Sequence, residues 1–175
     1  MSDVKRPNHV LAILALPFMA TLVIPTLLLF AERGFSLRLG LLPTMPVLRV
    51  MLALIAVASG LWLFYATVRL FATVGQGTLA PWDATRRLVV EGVYRHVRNP
   101  MITGVALILF GEALLTQSFA LGLWALLFTV VNLIYIPLVE ERGLIARFGD
   151  TYRLYRQNVP RWIPRRTPWS PPATL

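Results

Sequence analysis

Long stretches without a charged residue most constrain how this chain can fold. Residues 10–30 and 50–68 contain no charge, and residues 101–139 contain only Glu112. A helix rises about 1.5 Å per residue, so about 20 apolar residues cross a hydrocarbon core of about 30 Å. The chain is 57% hydrophobic and its mean hydropathy is +0.66. The sequence therefore predicts an all-α integral membrane protein.

The apolar stretches divide into four predicted transmembrane helices. Two cross the membrane at about residues 10–30 and 50–70. The third stretch is too long for one helix and fits two, at about 101–116 and 120–139, with a tight turn at Gln117-Ser118.

This predicted helical hairpin returns both of its ends to one membrane surface. Packed helix axes lie about 8–10 Å apart. We therefore expect Arg98-Asn99-Pro100, before the hairpin, to lie close to Glu140-Glu141, after it.

Beyond the hairpin the pattern becomes amphipathic. Four residues recur at roughly helical spacing between arginines: Leu144, Phe148, Tyr152 and Tyr155. This pattern predicts an interfacial helix at about 140–157 that lies on the membrane. The prolines at 160 and 164 argue against continued helix, and Trp162 between them is a predicted interfacial anchor. We expect a single domain, residues 1–166, and a disordered tail at 167–175.

The basic residues indicate the orientation in the membrane. Of the seventeen lysines and arginines, fourteen fall on one side of the predicted helices, and three on the other: Arg33, Arg38 and Arg49. The positive-inside rule then places both termini and the loop at about 71–99 in the cytoplasm. We expect a multi-pass protein of a bacterial inner membrane. The net charge of +9 is explained by a basic rim against anionic lipid, so no nucleic-acid partner is expected.

Few residues suit a metal or a polar site within the membrane. The chain has no cysteine, and its two isolated histidines, His9 and His96, cannot form a zinc cluster alone. No metal site is therefore expected. Mirror-image pairing about the predicted turn places Glu112 near Trp124, whose indole N–H is a suitable donor for its carboxylate.

Two features of the predicted cytoplasmic surface have both a structural and a functional interpretation. Asn99-Pro100 is typical of a helix start, with asparagine as the N-cap and proline at the first position. A helix N-terminus also offers free N–H groups to a carboxylate. Arg98 either anchors the helix at the headgroups or adds to this anion site. The adjacent carboxylates Glu140 and Glu141 either pair with arginines or hold a cationic or hydroxyl-rich ligand.

Read in order, these segments resemble the isoprenylcysteine carboxyl methyltransferase-like family and the related phospholipid methyltransferases. The similarity covers about residues 75–164, and the order and spacing of its parts make it specific. Those parts are Gly77-Thr78-Leu79-Ala80-Pro81, then Gly92-Val93-Tyr94-Arg95 with Arg98-Asn99-Pro100 and Gly104, then Glu140-Glu141 with Leu144, Phe148-Gly149, Tyr152, Tyr155 and Val159-Pro160-Arg161.

The resemblance implies a membrane methyltransferase that uses S-adenosylmethionine and acts on a lipid or lipidated acceptor. It implies a cytoplasmic cofactor site formed by the start of the third span, the end of the fourth and the C-terminal segment. The residues implied to bind the cofactor are Tyr94, Asn99, Pro100, Gly104, Glu140, Glu141 and Tyr152. The residues implied to orient an anionic acceptor, and hence to be catalytic, are Arg98 and Arg161.

Two residues depart from the family's Arg-His-Pro-x-Tyr-x-Gly pattern. Asn99 replaces histidine and keeps a hydrogen-bonding side chain, whereas Ile102 replaces tyrosine and loses a ring and a hydroxyl. The acceptor remains open among a carboxylate, an amine and a thiol, as do the oligomeric state and a role for His96 as a base. The alternative function is a catalytically silent membrane scaffold or small transport subunit. A transporter usually lines its path with more polar residues than these spans contain.

Overall fold

The computed structural model describes residues 16–32, 39, 45–75 and 88–172. Within these ranges the chain forms helices and no strand. The helices are α1 (Leu16–Glu32), α2 (Pro46–Leu70), α3 (Pro100–Thr116), α4 (Phe119–Tyr135) and α5 (Glu141–Asn158). Predictions for the start of the first span and for Gly77-Thr78-Leu79-Ala80-Pro81 lie outside the described residues.

Short turns of other helical types connect these elements. A π turn, Met19–Val23, lies within α1, and two more extend α2 and α4, at Phe71–Gly75 and Ile136–Glu140. A 3-10 turn, Gly92–Arg95, precedes α3.

The helices carry large apolar side chains on their outer surfaces. Pro46–Val74 and Phe119–Asn158 are long and apolar enough to cross a membrane, whereas Leu16–Glu32 and Pro100–Thr116 are apolar but shorter. Residues exposed on α2 include Leu54, Ile55, Leu61, Trp62 and Tyr65. Apolar patches of this extent are rare on soluble monomers. The architecture is therefore consistent with an integral membrane helical protein.

Glycines bring α2 and α3 into close contact. A Cβ atom on Gly60 would lie 2.5 Å from the carbonyl oxygen of Gly104, and one on Gly111 would lie 3.0 Å from the carbonyl oxygen of Ala53. Because the contacts run in opposite chain directions, the two helices are antiparallel. Small residues at such positions let helix backbones approach closely, which drives helix association in lipid.

The break between α3 and α4 lies at Gln117 and Ser118, where the sequence predicts a turn. Gln117 adopts a left-handed conformation (φ 59°) and ends α3, and the hydroxyl of Ser118 accepts a hydrogen bond from the Leu121 N–H to cap α4. The carboxylate of Glu32 accepts hydrogen bonds from the Ala120 N–H, at 2.8 Å, and from the Ser118 hydroxyl. The end of α1 is thereby fixed to the start of α4.

The predicted contact between Glu112 and Trp124 is wrong. Nε1 of Trp124 donates instead to the carbonyl oxygen of Ala20 at 3.0 Å, because Ala20 on α1 packs into the core beside α3 and α4. Oε2 of Glu112 is buried and has no hydrogen-bond partner among the described residues. Pairing about a turn identifies neighbours within a hairpin but not a third helix that packs against it.

After α4 the chain turns back over the start of α3. α5 is kinked at Gly149, whose φ of 54° and ψ of −129° suit glycine rather than other residues. Residues 159–172, here called the strap, follow in non-helical form. Backbone hydrogen bonds join it to the segment before α3: Arg98 N–H to Pro160 O at 2.9 Å, Arg165 N–H to His96 O at 3.0 Å and Trp169 N–H to Arg95 O at 2.9 Å.

The structure describes the first part of the predicted disordered tail, residues 167–172. The ring of Trp169 lies 5.9 Å from that of Tyr155, and its carbonyl oxygen accepts from Arg95 Nε at 2.7 Å. The proline-rich composition suggested disorder. The backbone hydrogen bonds that hold this segment leave no pattern in the sequence, so they could not be predicted from it.

The glycine contact predicts different effects for two Gly→Ala substitutions in helices. Gly60→Ala should lower the free energy of unfolding by about 1–3 kcal/mol, because the new methyl group would overlap a backbone oxygen. Gly143→Ala on α5 meets no atom within 4 Å and should raise that energy by up to about 1 kcal/mol. Unfolding followed by circular dichroism in detergent measures both. Equal effects would contradict the close packing of α2 and α3.

Candidate active site

Tyr94 fixes the 3-10 turn that leads into α3. Its buried ring packs edge-on against Phe71 at the end of α2, with 5.7 Å between ring centroids. Its carbonyl oxygen accepts a hydrogen bond from the Tyr155 hydroxyl at 2.7 Å. Burial raises the pKa of both phenols, so they are neutral and available as donors. The turn is thus held between α2 and α5.

Glu141 is the centre of a buried charge cluster. This residue is 2% exposed, and Oε1 accepts hydrogen bonds from Arg98 Nη1 at 2.7 Å and from Arg161 Nε at 2.6 Å. Oε2 accepts from Arg161 Nη2 at 3.0 Å and lies 3.7 Å from Arg156 Nη1. A two-point contact between arginine and carboxylate is strong and directional. The cluster therefore joins the start of α3, α5 and the strap.

The arginines determine the protonation state of Glu141. Burial alone would raise the pKa of its carboxyl group, but the hydrogen bond from Arg161 and the charges of Arg98, Arg161 and Arg156 outweigh burial and lower that pKa. The same hydrogen bond raises the pKa of Arg161. Glu141 is thus a carboxylate at neutral pH, and its oxygens are occupied by arginine donors.

Arg98 keeps part of its guanidinium group unpaired. Its side chain is 8% exposed, and Nη1 donates to Glu141 and to the Tyr152 hydroxyl, the latter at 3.3 Å. Its Nε is buried without a hydrogen-bond partner in the described part of the chain. A buried donor left unpaired is costly unless a ligand or water satisfies it. This Nε edge therefore suits a carboxylate or phosphate oxygen.

The charges of the cluster also favour an anion. Three guanidinium groups lie within 4 Å of one carboxylate, so the cluster carries a net charge of +2 (three minus one). Arg98 is buried, whereas the side chains of Arg161 and Arg156 are 32% and 48% exposed. The excess positive charge is therefore partly open to solvent, where it suits an anionic ligand.

Asn99 does not cap α3, which corrects the structural interpretation of Asn99-Pro100. Its side chain makes no capping hydrogen bond, and Nδ2 donates instead to the carbonyl oxygen of Arg161 at 3.3 Å. The reason is the strap, which runs past this residue and offers a carbonyl group. Pro100 is the first residue of α3, as predicted, and is buried.

The remaining predicted residues lie at different distances from the cluster. Tyr152 is buried and accepts a hydrogen bond from Arg98. Glu140 is exposed next to the cluster and has no hydrogen bond or ion pair among the described residues. Gly104 lies at the contact of α3 with α2, where Gly60 occupies the space beside it. Helix packing therefore accounts for Gly104 without a ligand.

Sequence reasoning missed Arg156 as a member of the site. In a straight helix, 15 residues from Glu141 correspond to about 22 Å along the axis, yet Arg156 Nη1 lies 3.7 Å from Oε2 of Glu141. The kink at Gly149 brings it back. The only sequence signal for this kink was the glycine itself.

The helices and the charge cluster together form an apolar helical bundle with a net positive polar cluster at one end of the α3–α4 hairpin. A model of the phospholipid methyltransferase family matches residues 48–151, more than half of the chain. The chain belongs to this family. The match includes Arg98, Asn99 and Glu141 and ends before Arg161.

Individual relatives are similar over less than half of the chain. Methanethiol S-methyltransferase 2 of Bradyrhizobium diazoefficiens is 38% identical over 76 residues, which are 42% of this chain and 27% of that protein. Protein-S-isoprenylcysteine O-methyltransferase of Schizosaccharomyces pombe is 34% identical over 83 residues, 44% of this chain and 33% of that protein.

A third relative is phosphatidylethanolamine N-methyltransferase 1 of Vanderwaltozyma polyspora, 37% identical over 82 residues, 46% of this chain and 10% of that protein. The matches thus span a third or less of the length of these curated relatives. The names of the three describe methyl transfer to sulfur, to oxygen and to nitrogen.

The charge cluster predicts a pH-dependent contribution of Glu141 to stability. Glu141→Gln should lower the free energy of unfolding by about 3 kcal/mol, because it leaves the buried Arg98 without its carboxylate partner. Glu140→Gln should not lower it, because burial of the carboxyl group and the charge of Glu141 raise the pKa of Glu140 and so disfavour its charge in the folded protein. Denaturant unfolding in detergent at neutral pH measures both variants.

The pH dependence gives a second measurement of the same feature. The folded pKa of Glu141 is lower than its unfolded value near 4.5, so its stabilisation is present above pH 4.5 and is lost as pH falls through the folded pKa. The stability of the unmodified protein should therefore fall more steeply than that of Glu141→Gln below pH 4.5. Parallel curves would contradict the buried pair.

Proposed function

We propose that this chain is a membrane methyltransferase that uses S-adenosylmethionine and acts on a lipid or lipidated acceptor. The observation that carries the proposal is the buried cluster of Glu141 with Arg98 and Arg161, located within and beside the part that matches the phospholipid methyltransferase family. The names of the relatives support methyl transfer as the reaction type.

The residues at the cluster fit the chemical groups of S-adenosylmethionine. The cofactor carries a carboxylate and an ammonium group, which need partners of opposite charge. The buried Nε of Arg98 lacks a partner, and the carboxylate of Glu140 is exposed and unpaired among the described residues. Glu141 is already occupied by arginines. We therefore assign Glu140 to the cation and Arg98 to the anion.

Glu141 takes a different role in this proposal from the one that the resemblance implies. It holds Arg98 and Arg161 in fixed positions and is not itself a ligand. Asn99 also helps to hold Arg161 in place, because its Nδ2 donates to the carbonyl oxygen of Arg161. Tyr94 fixes the turn before α3 through the hydrogen bond from Tyr155, and Tyr152 on α5 positions Arg98.

Bound S-adenosylmethionine would supply a methyl group on a positively charged sulfur. The protein must then align the acceptor with that group at about 3–3.5 Å and keep water out. Arg161 would orient an acceptor that carries an anionic group, since Arg98 is assigned to the cofactor, and the apolar surfaces of the helices would admit the lipid part of the acceptor from the bilayer. No acid–base residue is required when the acceptor is an ionised carboxylate.

The proposed topology has four spans with both termini in the cytoplasm of a bacterial cell. It places the cluster at the cytoplasmic membrane surface, where most of the basic residues fall. The catalytically silent scaffold or transport subunit is not favoured, because it gives no role to the unpaired edge of Arg98.

Methyl transfer should be measurable with the protein purified in lipid nanodiscs. With methyl-labelled S-adenosylmethionine, label should appear in a phospholipid, a lipidated cysteine peptide or a small thiol, and these three acceptors separate an amine, a carboxylate and a sulfur. Fractionated membrane lipids extend the search to other lipid acceptors. Cofactor binding without transfer to any of them would support the silent scaffold.

The assignment of Glu140 predicts a selective loss of cofactor affinity. Glu140→Gln removes the charge and keeps the shape, so S-adenosylmethionine should bind more weakly by about 1.5–3 kcal/mol. Asp150→Asn is the matched control, because Asp150 is also exposed and its described ion pair is with Arg153 on its own helix. Calorimetry in detergent measures both affinities. Equal affinity in both variants would remove Glu140 from the site.

A further inference from the structure

The strap forms a short loop that is fixed at both ends. The carbonyl oxygen of Pro160 accepts from the Arg98 N–H at 2.9 Å, and the Arg165 N–H donates to the carbonyl oxygen of His96 at 3.0 Å. Nδ1 of His96 also donates to the carbonyl oxygen of Arg165 at 2.8 Å. The four residues between, 161–164, are here called the strap loop. They are held beside residues 96–98, close to the first residue of α3.

The two sides of the strap loop differ in character. Arg161 faces inward and binds Glu141. Ile163 is 80% exposed, more than any other large hydrophobic residue in the described ranges. Trp162, the residue that the sequence predicts as an anchor, is half-buried, whereas Pro164 is exposed. The most exposed apolar side chain of the strap loop is therefore Ile163 and not Trp162.

Basic residues flank this exposed isoleucine in the sequence. Arg161, Arg165 and Arg166 account for half of residues 161–166. Arg165 Nη1 donates to the carbonyl oxygen of Asn158, whereas Arg166 is exposed and has no ion pair among the described residues. An apolar side chain among cationic ones is the composition that binds interfaces rich in anionic lipid.

We propose that the strap loop docks on an anionic lipid surface, with Ile163 inserted among the headgroups and Arg166 paired with lipid phosphates. The loop lies at the level of Asn99 and Pro100, where the proposed third span enters the bilayer, so its depth matches the headgroup region. Docking rests on the membrane topology but not on methyl transfer. Arg161 lies on the same loop as Ile163. The outer side of the strap loop thus contacts the lipid surface, and its inner side supplies Arg161 to the charge cluster.

Single-cysteine labelling tests this proposal directly, because the chain contains no cysteine of its own. Ile163→Cys and the control Gln157→Cys, at an exposed position of α5, each receive an environment-sensitive fluorophore. Both proteins are placed in nanodiscs of phosphatidylglycerol or phosphatidylcholine, one copy per disc. Iodide quenching of the label reports access from water.

The label at 163 should be shielded from iodide and blue-shifted in phosphatidylglycerol discs, relative to the label at 157. Adding Arg166→Gln should weaken the lipid association of the loop about fivefold, the effect of removing one basic residue near an anionic surface. Equal thermal unfolding of the labelled proteins confirms that the fold is intact.

Three outcomes would overturn the proposal. Equal quenching at 163 and 157 in phosphatidylglycerol discs would show that the loop faces water. Equal shielding in both lipids would remove the role of anionic lipid. Shielding that is absent with one copy per disc but present in larger discs that hold two copies would identify a second copy of the chain as the occupant.

Discussion

The ion pair between Glu141 and two arginines is the constraint on which the arrangement of this site depends. Arg98 precedes α3, Glu141 begins α5 and Arg161 lies on the strap, so one carboxylate joins three segments that are distant in the sequence. Removing these charges from water is expensive, and only good geometry and full hydrogen bonding compensate for it. The excess of guanidinium groups over carboxylates gives the cluster a net positive charge, on which the proposed binding of an anion rests. Structural role and binding capacity arise from the same residues.

The close helix pair behind this cluster supplies its rigidity. α2 and α3 approach through Gly60 and Gly104, and α2 continues to Phe71, whose ring supports Tyr94. α3 is thus held along its length by backbone contact with α2, and its start is held by the ion pair of Arg98 with Glu141. The apolar outer surfaces of the helices suit contact with lipid. Polar interactions are concentrated at the helix ends, where backbone N–H and C=O groups lack partners within the helix.

Much of this arrangement could be predicted from the sequence, because length and periodicity are local properties. The apolar run from 101 to 139 indicated two helices with a break at Gln117 and Ser118, and the hairpin placed Arg98 near Glu141 before any motif was considered. The contacts that sequence reasoning missed share a cause. Trp124 meets a third helix, Asn99 and Trp169 meet a strap held by backbone hydrogen bonds, and Arg156 returns through a single kink. None of these geometries leaves a periodic pattern.

The π turn at Ile136–Glu140 decides which of two adjacent carboxylates meets the arginines. A π turn takes up one residue more than an α turn, and each residue of an α-helix rotates the next by about 100°. Glu141 therefore occupies the position that Glu140 would hold if α4 continued as a regular helix. Straightening the turn would bring Glu140 to the inward position and rotate Glu141 about 100° beyond it, whereas deleting one residue from 136–139 would leave Glu141 inward. The identity of the inward carboxylate is a property of helix register, not of the Glu-Glu pair itself, and two chains with the same pair but different turns would use different members of it.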